Sequence, residues 1–136
     1  MMYLLDTNVV SELRKPRADR RVRRWAGGVP AASLYLSAMT VLELEVGVLR
    51  VERRDIRQGA VLRRWLESHV LPGFAGRILA VDTAVARRCA RLHVPDPMPH
   101  GDALIAATAL VHGLTVVSRN VADFEMSGVA LLNPWD

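Results

Sequence analysis

The feature that most constrains the fold is a repeated alternation: short apolar runs separated by longer segments with helical period. The apolar runs are YLL (Tyr3 to Leu5), LYLS (Leu34 to Ser37), ILAV (Ile78 to Val81), LTVVS (Leu114 to Ser118) and, more weakly, VALLN (Val129 to Asn133). Most are separated by VVSELRK, ADRRVRRWAGG, VLELEVGVLRVERR, GAVLRRWLESHVL, TAVARRCARLH or DALIAATALVHG. Strands alternating with helices predict βαβ units and a parallel sheet. The runs show little in–out alternation, which predicts burial on both faces of that sheet. The expected fold is therefore α/β: one domain over residues 1–136, with a parallel central sheet of four to five strands flanked by helices. The two helical segments between Val41 and Leu71 have no strand between them and predict a hairpin projecting from the sheet. Its apolar positions (Leu42, Val46, Leu49, Ile56, Leu62, Trp65, Leu66) serve either ordinary core packing or a partner surface. Gly113 stands where a helix C-cap glycine belongs.

Composition narrows the class. A chain of 136 residues, half of them hydrophobic, can bury a real core as a single domain. The longest run of apolar or small residues, ALIAATALV, is too short to span a bilayer. No basic segment precedes an apolar stretch at the N-terminus, so neither a secretory signal nor membrane association is expected, and the cytoplasm is the expected location. The single cysteine, Cys89, can build no disulfide framework and reads as a buried thiol on a helix. Net charge is +4, and all but one of the eighteen basic residues are arginine, clustered in RADRRVRR, RVERRDIR, LRRW and ARRCAR. Arginine's donor fork suits phosphate oxygens. These runs therefore predict either a polyanionic partner or solvated helix faces.

Four of the fourteen acidic residues stand out by position. Asp6 follows the first strand, Glu43 lies early in the helix after the second, Asp102 opens an apolar helix, and Asp123 follows the fourth strand. Each has a structural explanation of its own. Thr40 to Glu43 has the spacing of a capping box. Asp102 suits an N-cap or the helix dipole. Asn120 and Asp123 have the spacing of a helical start. Together, all four fall on the edge where an open parallel sheet gathers its functional loops. Two carboxylates about 5 Å apart repel by roughly 3 kcal/mol at an effective dielectric near 20. Several such pairs would rival a small domain's stability of about 5–15 kcal/mol. Such a cluster has to hold protons or bind cations. Oxygen donors without histidine suit Mg²⁺ or Mn²⁺ rather than zinc. His100, two residues before Asp102, reads as a loop or cap residue.

The stretches YLLDTNVVSELRK, TVLELEVG, DALIAATALVHGLTVVSRN and DF, with the ending LLNPW, resemble a PIN domain, and more narrowly the VapC/FitB group of toxin ribonucleases. The resemblance runs along the whole chain with its motifs in order. It implies that Asp6, Glu43, Asp102 and Asp123 are the catalytic, metal-binding acids, with Mg²⁺ (or Mn²⁺) as cofactor. It implies that Thr7, Asn8, Ser118 and Asn120 are supporting residues, Ser118 replacing the threonine common before Arg-Asn. It further implies a metal-dependent endoribonuclease toxin of a type II toxin–antitoxin pair, yielding 5′-phosphate and 3′-hydroxyl ends. The implied partners are an RNA substrate, a cognate antitoxin and a second copy of the chain, within a homodimer or a larger toxin–antitoxin assembly. Asp96, between two prolines, reads as a turn residue, and Glu45 as pointing away from Glu43.

The alternative is a PIN fold kept as a nucleic-acid- or protein-binding module without catalysis. A phosphoacceptor domain would need a lysine on a late strand, whereas Lys15, the only lysine, falls in the first helix. An aspartate-nucleophile phosphatase would need an aspartate at position 8, where Asn8 stands.

Overall fold

The computed structural model describes residues Met1–Asp136. Five short strands, β1 (Tyr3–Leu5), β2 (Leu34–Ser37), β3 (Ile78–Leu79), β4 (Thr115–Val117) and β5 (Leu131–Leu132), form one sheet in the order β3-β2-β1-β4-β5. Every strand pairing is parallel. The chain builds outward from β1 through β2 to β3, then returns to the other side of β1 with β4 and β5. The switch point therefore lies between β1 and β4, whose register sets Leu5 beside Val117.

The seven helices are α1 (Thr7–Arg14), α2 (Arg20–Gly27), α3 (Ala38–Arg54), α4 (Ile56–Trp65), α5 (Leu71–Gly73), α6 (Thr83–Leu92) and α7 (His100–His112). A π-helical turn (Leu66–Val70) joins α4 to α5, and a 3-10 segment (Val121–Ser127) follows β4. Successive strand residues point to opposite faces. Leu5, Leu36 and Val117 pack with Val9, Val22, Leu44, Leu66 and Val70 on one side. Leu4 and Val116 pack with Ile105, Ala106, Ala109 and Phe124 on the other. Both faces are covered, as the non-alternating strands predict. Strands β3, β4 and β5 are shorter than their apolar runs. Gly113, at φ 69°, closes α7 in the left-handed conformation that glycine adopts most readily.

The predicted helical hairpin is α3 and α4, joined through Asp55, which caps α4 by accepting from the Gln58 N–H at 3.1 Å. Gly59 lets the two helices approach: a Cβ there would stand 2.5 Å from the Glu52 Cα. Of the hairpin's apolar residues, Leu66 is buried, Val46, Leu62 and Trp65 are half-buried, and Leu42, Leu49 and Ile56 are exposed. Arg63 sits at the centre of the hairpin, paired with Glu45, with Glu52 at 2.9 Å and with Glu67 at 3.8 Å. In LRRW, then, one of the two arginines is spent on ion pairs rather than left to a polyanionic partner or to solvent. Arg21 is likewise paired with Asp19 at 3.1 Å. Glu45 does point away from Glu43, toward that arginine.

Candidate active site

Asp6 begins where β1 ends. Its N–H donates to the Val117 carbonyl at 2.9 Å, continuing the β1–β4 ladder by one residue. Its carboxylate caps α1, with Oδ1 accepting from the Thr7 N–H at 2.8 Å. Oδ2 accepts from the Ser118 hydroxyl at 2.7 Å and, more distantly, from Asn8 Nδ2 at 3.4 Å. Asp6 thus ends its strand and starts a helix, as any turn-forming residue could. It is nevertheless a charged group only 7% exposed at the sheet's switch point.

Ser118 holds Asp6 in place. Its hydroxyl, fully buried, donates to Asp6 and accepts from the Asn120 N–H at 3.0 Å and from Asn8 Nδ2 at 3.3 Å. One donor and two acceptor sites are thereby filled. Asn8 also accepts the Arg119 N–H at 3.4 Å through Oδ1, stitching α1 to the chain after β4.

One capping assignment needs correction, and at Asp102 the structure chooses the helix dipole over the N-cap. The helix bearing Glu43 starts at Ala38, and its N-cap is Ser37, whose hydroxyl accepts from the Met39 N–H at 3.0 Å. Thr40 therefore lies inside the helix, and no capping box holds Glu43. The Glu43 carboxylate instead accepts from the Thr7 hydroxyl at 2.5 Å, a short charge-assisted bond from α1 to α3. Helix α7 starts at His100, two residues before Asp102, so Asp102 lies within its first turn rather than capping it. His100 is the first helical residue and its ring lies 5.1 Å from that of His93. Asp123 sits in the first turn of the 3-10 segment, where its N–H donates to the Asn120 carbonyl at 3.0 Å. The Asn120 side chain makes no cap bond.

The four acids share one electrostatic field. The Asp102 carboxyl is pushed up to about 6, first by burial and then by Asp6, Asp123 and Glu43. Burial also raises Asp6, against the lowering effect of its bonds to Ser118 and Thr7, and Asp123 adds to the rise. Backbone packing allows the approach of α3 to α7. A Cβ on Gly101 would lie 3.1 Å from Glu43 Oε2 and 3.5 Å from the Met39 methyl. The sequence offered Gly101 only as the residue before Asp102, with nothing to mark it as Glu43's neighbour.

The expected crowding is milder than four bare carboxylates in contact. Asp6 and Glu43 are each held by neutral donors, and no three acidic, histidine or cysteine side chains converge closely enough, as they stand, to hold an ion. The donor set still fits a hard divalent cation: carboxylate oxygens only, a common negative field, and half-buried or exposed positions at Glu43, Asp102 and Asp123 that leave room for rotation.

An α/β fold with carboxylates just after β1, on α3, at the start of α7 and on the segment after β4, all on one sheet edge, defines a known class. The chain belongs to the PIN domain family, whose signature spans residues 3–125. It is 40% identical over 143 residues to VapC ribonuclease Y4jK of Sinorhizobium fredii, with 99% of each chain covered. It is 41% identical over 140 residues to Toxin FitB of Neisseria gonorrhoeae, covering 98% of this chain and 99% of that one. The fold superposes on the crystal structure of FitAcB from Neisseria gonorrhoeae with a TM-score of 0.91 at 40% identity, over 98% of this chain and 99% of that one.

Proposed function

We propose that this protein is a divalent-metal-dependent endoribonuclease that acts as the toxin of a toxin–antitoxin pair in the cytoplasm. The observation that carries the reading is the placement of Asp6, Glu43, Asp102 and Asp123 on one sheet edge, where burial first and then the other three carboxylates raise the Asp102 carboxyl. Similarity to a VapC ribonuclease and to Toxin FitB supports it.

Asp6, Glu43, Asp102 and Asp123 would hold Mg²⁺ or Mn²⁺. When bound, such an ion polarises a phosphate oxygen and lowers the pKa of a coordinated water. Asp6 is the fixed member: Thr7, Ser118 and Asn8 orient it, and Oδ1, which accepts only from the Thr7 N–H, keeps an acceptor site free. Thr7 holds Glu43 across from it. Asp102, raised to about 6 without metal, would give up its proton when the cation binds. Asn120 ties the Asp123 segment to Ser118 through its backbone.

A groove leads away from the acids. A cleft of about 240 Å³, whose walls include Thr7, Arg14, Glu43, Gly47 and Trp65, shares Arg14 and Trp65 with an apolar hollow of about 170 Å³ reaching Leu13 and Phe74. An antitoxin segment with apolar side chains and one basic residue suits this groove. Exposed Leu42, Leu49 and Ile56 on the hairpin suit a second copy of the chain.

The test is purified protein incubated with RNA in Mg²⁺, Mn²⁺ or EDTA, beside Asp6→Asn. The variant keeps an acceptor for the Thr7 N–H but loses the acceptor of the Ser118 hydroxyl, so circular dichroism and a thermal melt check its fold beside the assay. Cleavage should need metal and vanish in the variant. Cleavage that persists in EDTA, or in Asp6→Asn, refutes the reading.

A further inference from the structure

A broad concave surface lies on α6 and α7, and none of the four acids lines it. Arg87, Arg88 and Arg91 line a cleft of about 450 Å³ whose remaining walls are Ala84, Ala90 and Val111. None of the three arginines takes part in an ion pair or a side-chain hydrogen bond, unlike Arg63 and Arg21. No acidic side chain lines the cleft. Arg87 and Arg91 stand four residues apart on one helix, and Arg88 and Arg91 three apart. These spacings place like charges side by side, unfavourably. Arg91 answers the C-terminal dipole of α6, but Arg87 and Arg88 lie further back and have no such compensation.

Val111 is nine residues beyond Asp102 on α7, about 13 Å along its axis, so this is not the acidic edge itself. A second hollow of about 250 Å³ shares Arg91 with the cleft and lies on the side of it toward the start of α7. It begins at Arg91, runs past Asp96 and Met98 just ahead of α7, and meets Met126 on the segment that carries Asp123.

We propose that the Arg87–Arg88–Arg91 cleft is a phosphate-backbone exosite that holds single-stranded RNA extending from the acidic centre. This inference rests on the ribonuclease reading. The Arg87 and Arg91 Cα atoms are about 6 Å apart along α6, close to the separation of successive phosphates on an extended strand. Guanidinium forks bind such oxygens bidentately. The walls between them are alanine and valine, small enough for ribose to lie against. The cleft offers no ring for stacking bases, so it reads backbone and not sequence.

The test uses the full chain in EDTA, where binding is read without cleavage. Fluorescence anisotropy follows a labelled single-stranded RNA long enough to reach from the acidic edge to the cleft. Replacing all three arginines with glutamine should weaken binding about 10- to 100-fold near 0.1 M salt and reduce the salt slope by about 2. Replacement with lysine should keep most of both. Unchanged affinity and slope overturn the proposal. So does a loss confined to duplex DNA or to an acidic protein partner. Should the glutamine variant fail to fold, 4-thiouridine RNA crosslinked to the wild-type chain decides: adducts on α6 support the exosite, and adducts only elsewhere overturn it. Cleavage of a short RNA in Mg²⁺ is a separate arm. Its failure in the wild type refutes the nuclease reading while the binding arm still judges the cleft.

Discussion

The Ser118 hydroxyl donates to Asp6 Oδ2 at 2.7 Å across 112 residues of sequence, and both side chains are buried. That bond opposes the effect of burial on Asp6 and keeps its carboxyl from rising further. Ser118→Ala removes it and strands the Asn120 N–H, which should destabilise the fold by about 1–3 kcal/mol. With a lowering influence gone, Asp6 should ionise at higher pH, moving the acid limb of the cleavage profile upward. Chemical denaturation and a pH–rate profile check both effects; an unmoved acid limb would separate Asp6 from the reaction.

Asp102 sets a pH dependence of stability with a definite sign. Its folded carboxyl is raised from 3.8 to about 6, so the folded state holds the proton more tightly than the unfolded one. In the wild type, stability therefore falls as pH rises from about 4 to about 6 and stays low beyond. Asp102→Asn should therefore melt higher than wild type in EDTA at pH 7, by about 1 kcal/mol or less given solvent screening, and match it at pH 4. Millimolar Mg²⁺ should raise the wild-type melting temperature at pH 7 and leave the variant nearly unchanged. Scanning calorimetry at the two pH values, with and without Mg²⁺, reads all of this. A variant that melts lower at pH 7 would contradict the shared field.

Gly101 separates stability from activity. Alanine favours a helix over glycine by about 1 kcal/mol, yet here its Cβ would press on Glu43 Oε2 at 3.1 Å. Gly101→Ala should leave the melting temperature equal or higher while slowing cleavage by about tenfold or more, as expected when a positioned group is displaced. Steady-state kinetics beside a thermal melt makes the comparison, and wild-type rates in the variant would free Glu43 from any role at that contact.

The hairpin depends on another glycine. A Cβ at Gly59 would lie 2.5 Å from the Glu52 Cα, a backbone atom that cannot step aside. Gly59→Ala should destabilise by about 1–3 kcal/mol despite the better helix former, because α3 and α4 must part. Parting also loosens the Arg63 pairs with Glu45 and Glu52. Urea denaturation gives the number, and a neutral result would mean that the helices adjust without strain.

Much of the architecture was legible along the chain. Period and apolar run length are local properties, and they identified the strands, the hairpin and the edge that carries Asp6, Glu43, Asp102 and Asp123. Capping was less legible: Ser37 and Thr40 are both good caps, and only the point where β2 gives way to helix chooses Ser37. The basic runs were equally ambiguous, because an arginine's sequence neighbours do not reveal whether a carboxylate from another helix will claim it, as happens at Arg63 and not at Arg87.

The sequence by itself determined a parallel α/β domain with its acids on one edge, because strand and helix periods and turn chemistry act over a few residues. Tertiary structure alone decided that Ser118 restrains Asp6, that Thr7 rather than a capping box holds Glu43, and that Gly101 makes room for it. Those contacts join residues far apart in the chain. Their partners are chosen by the β1–β4 register and by how closely α1, α3 and α7 pack, and no local pattern of residues encodes either.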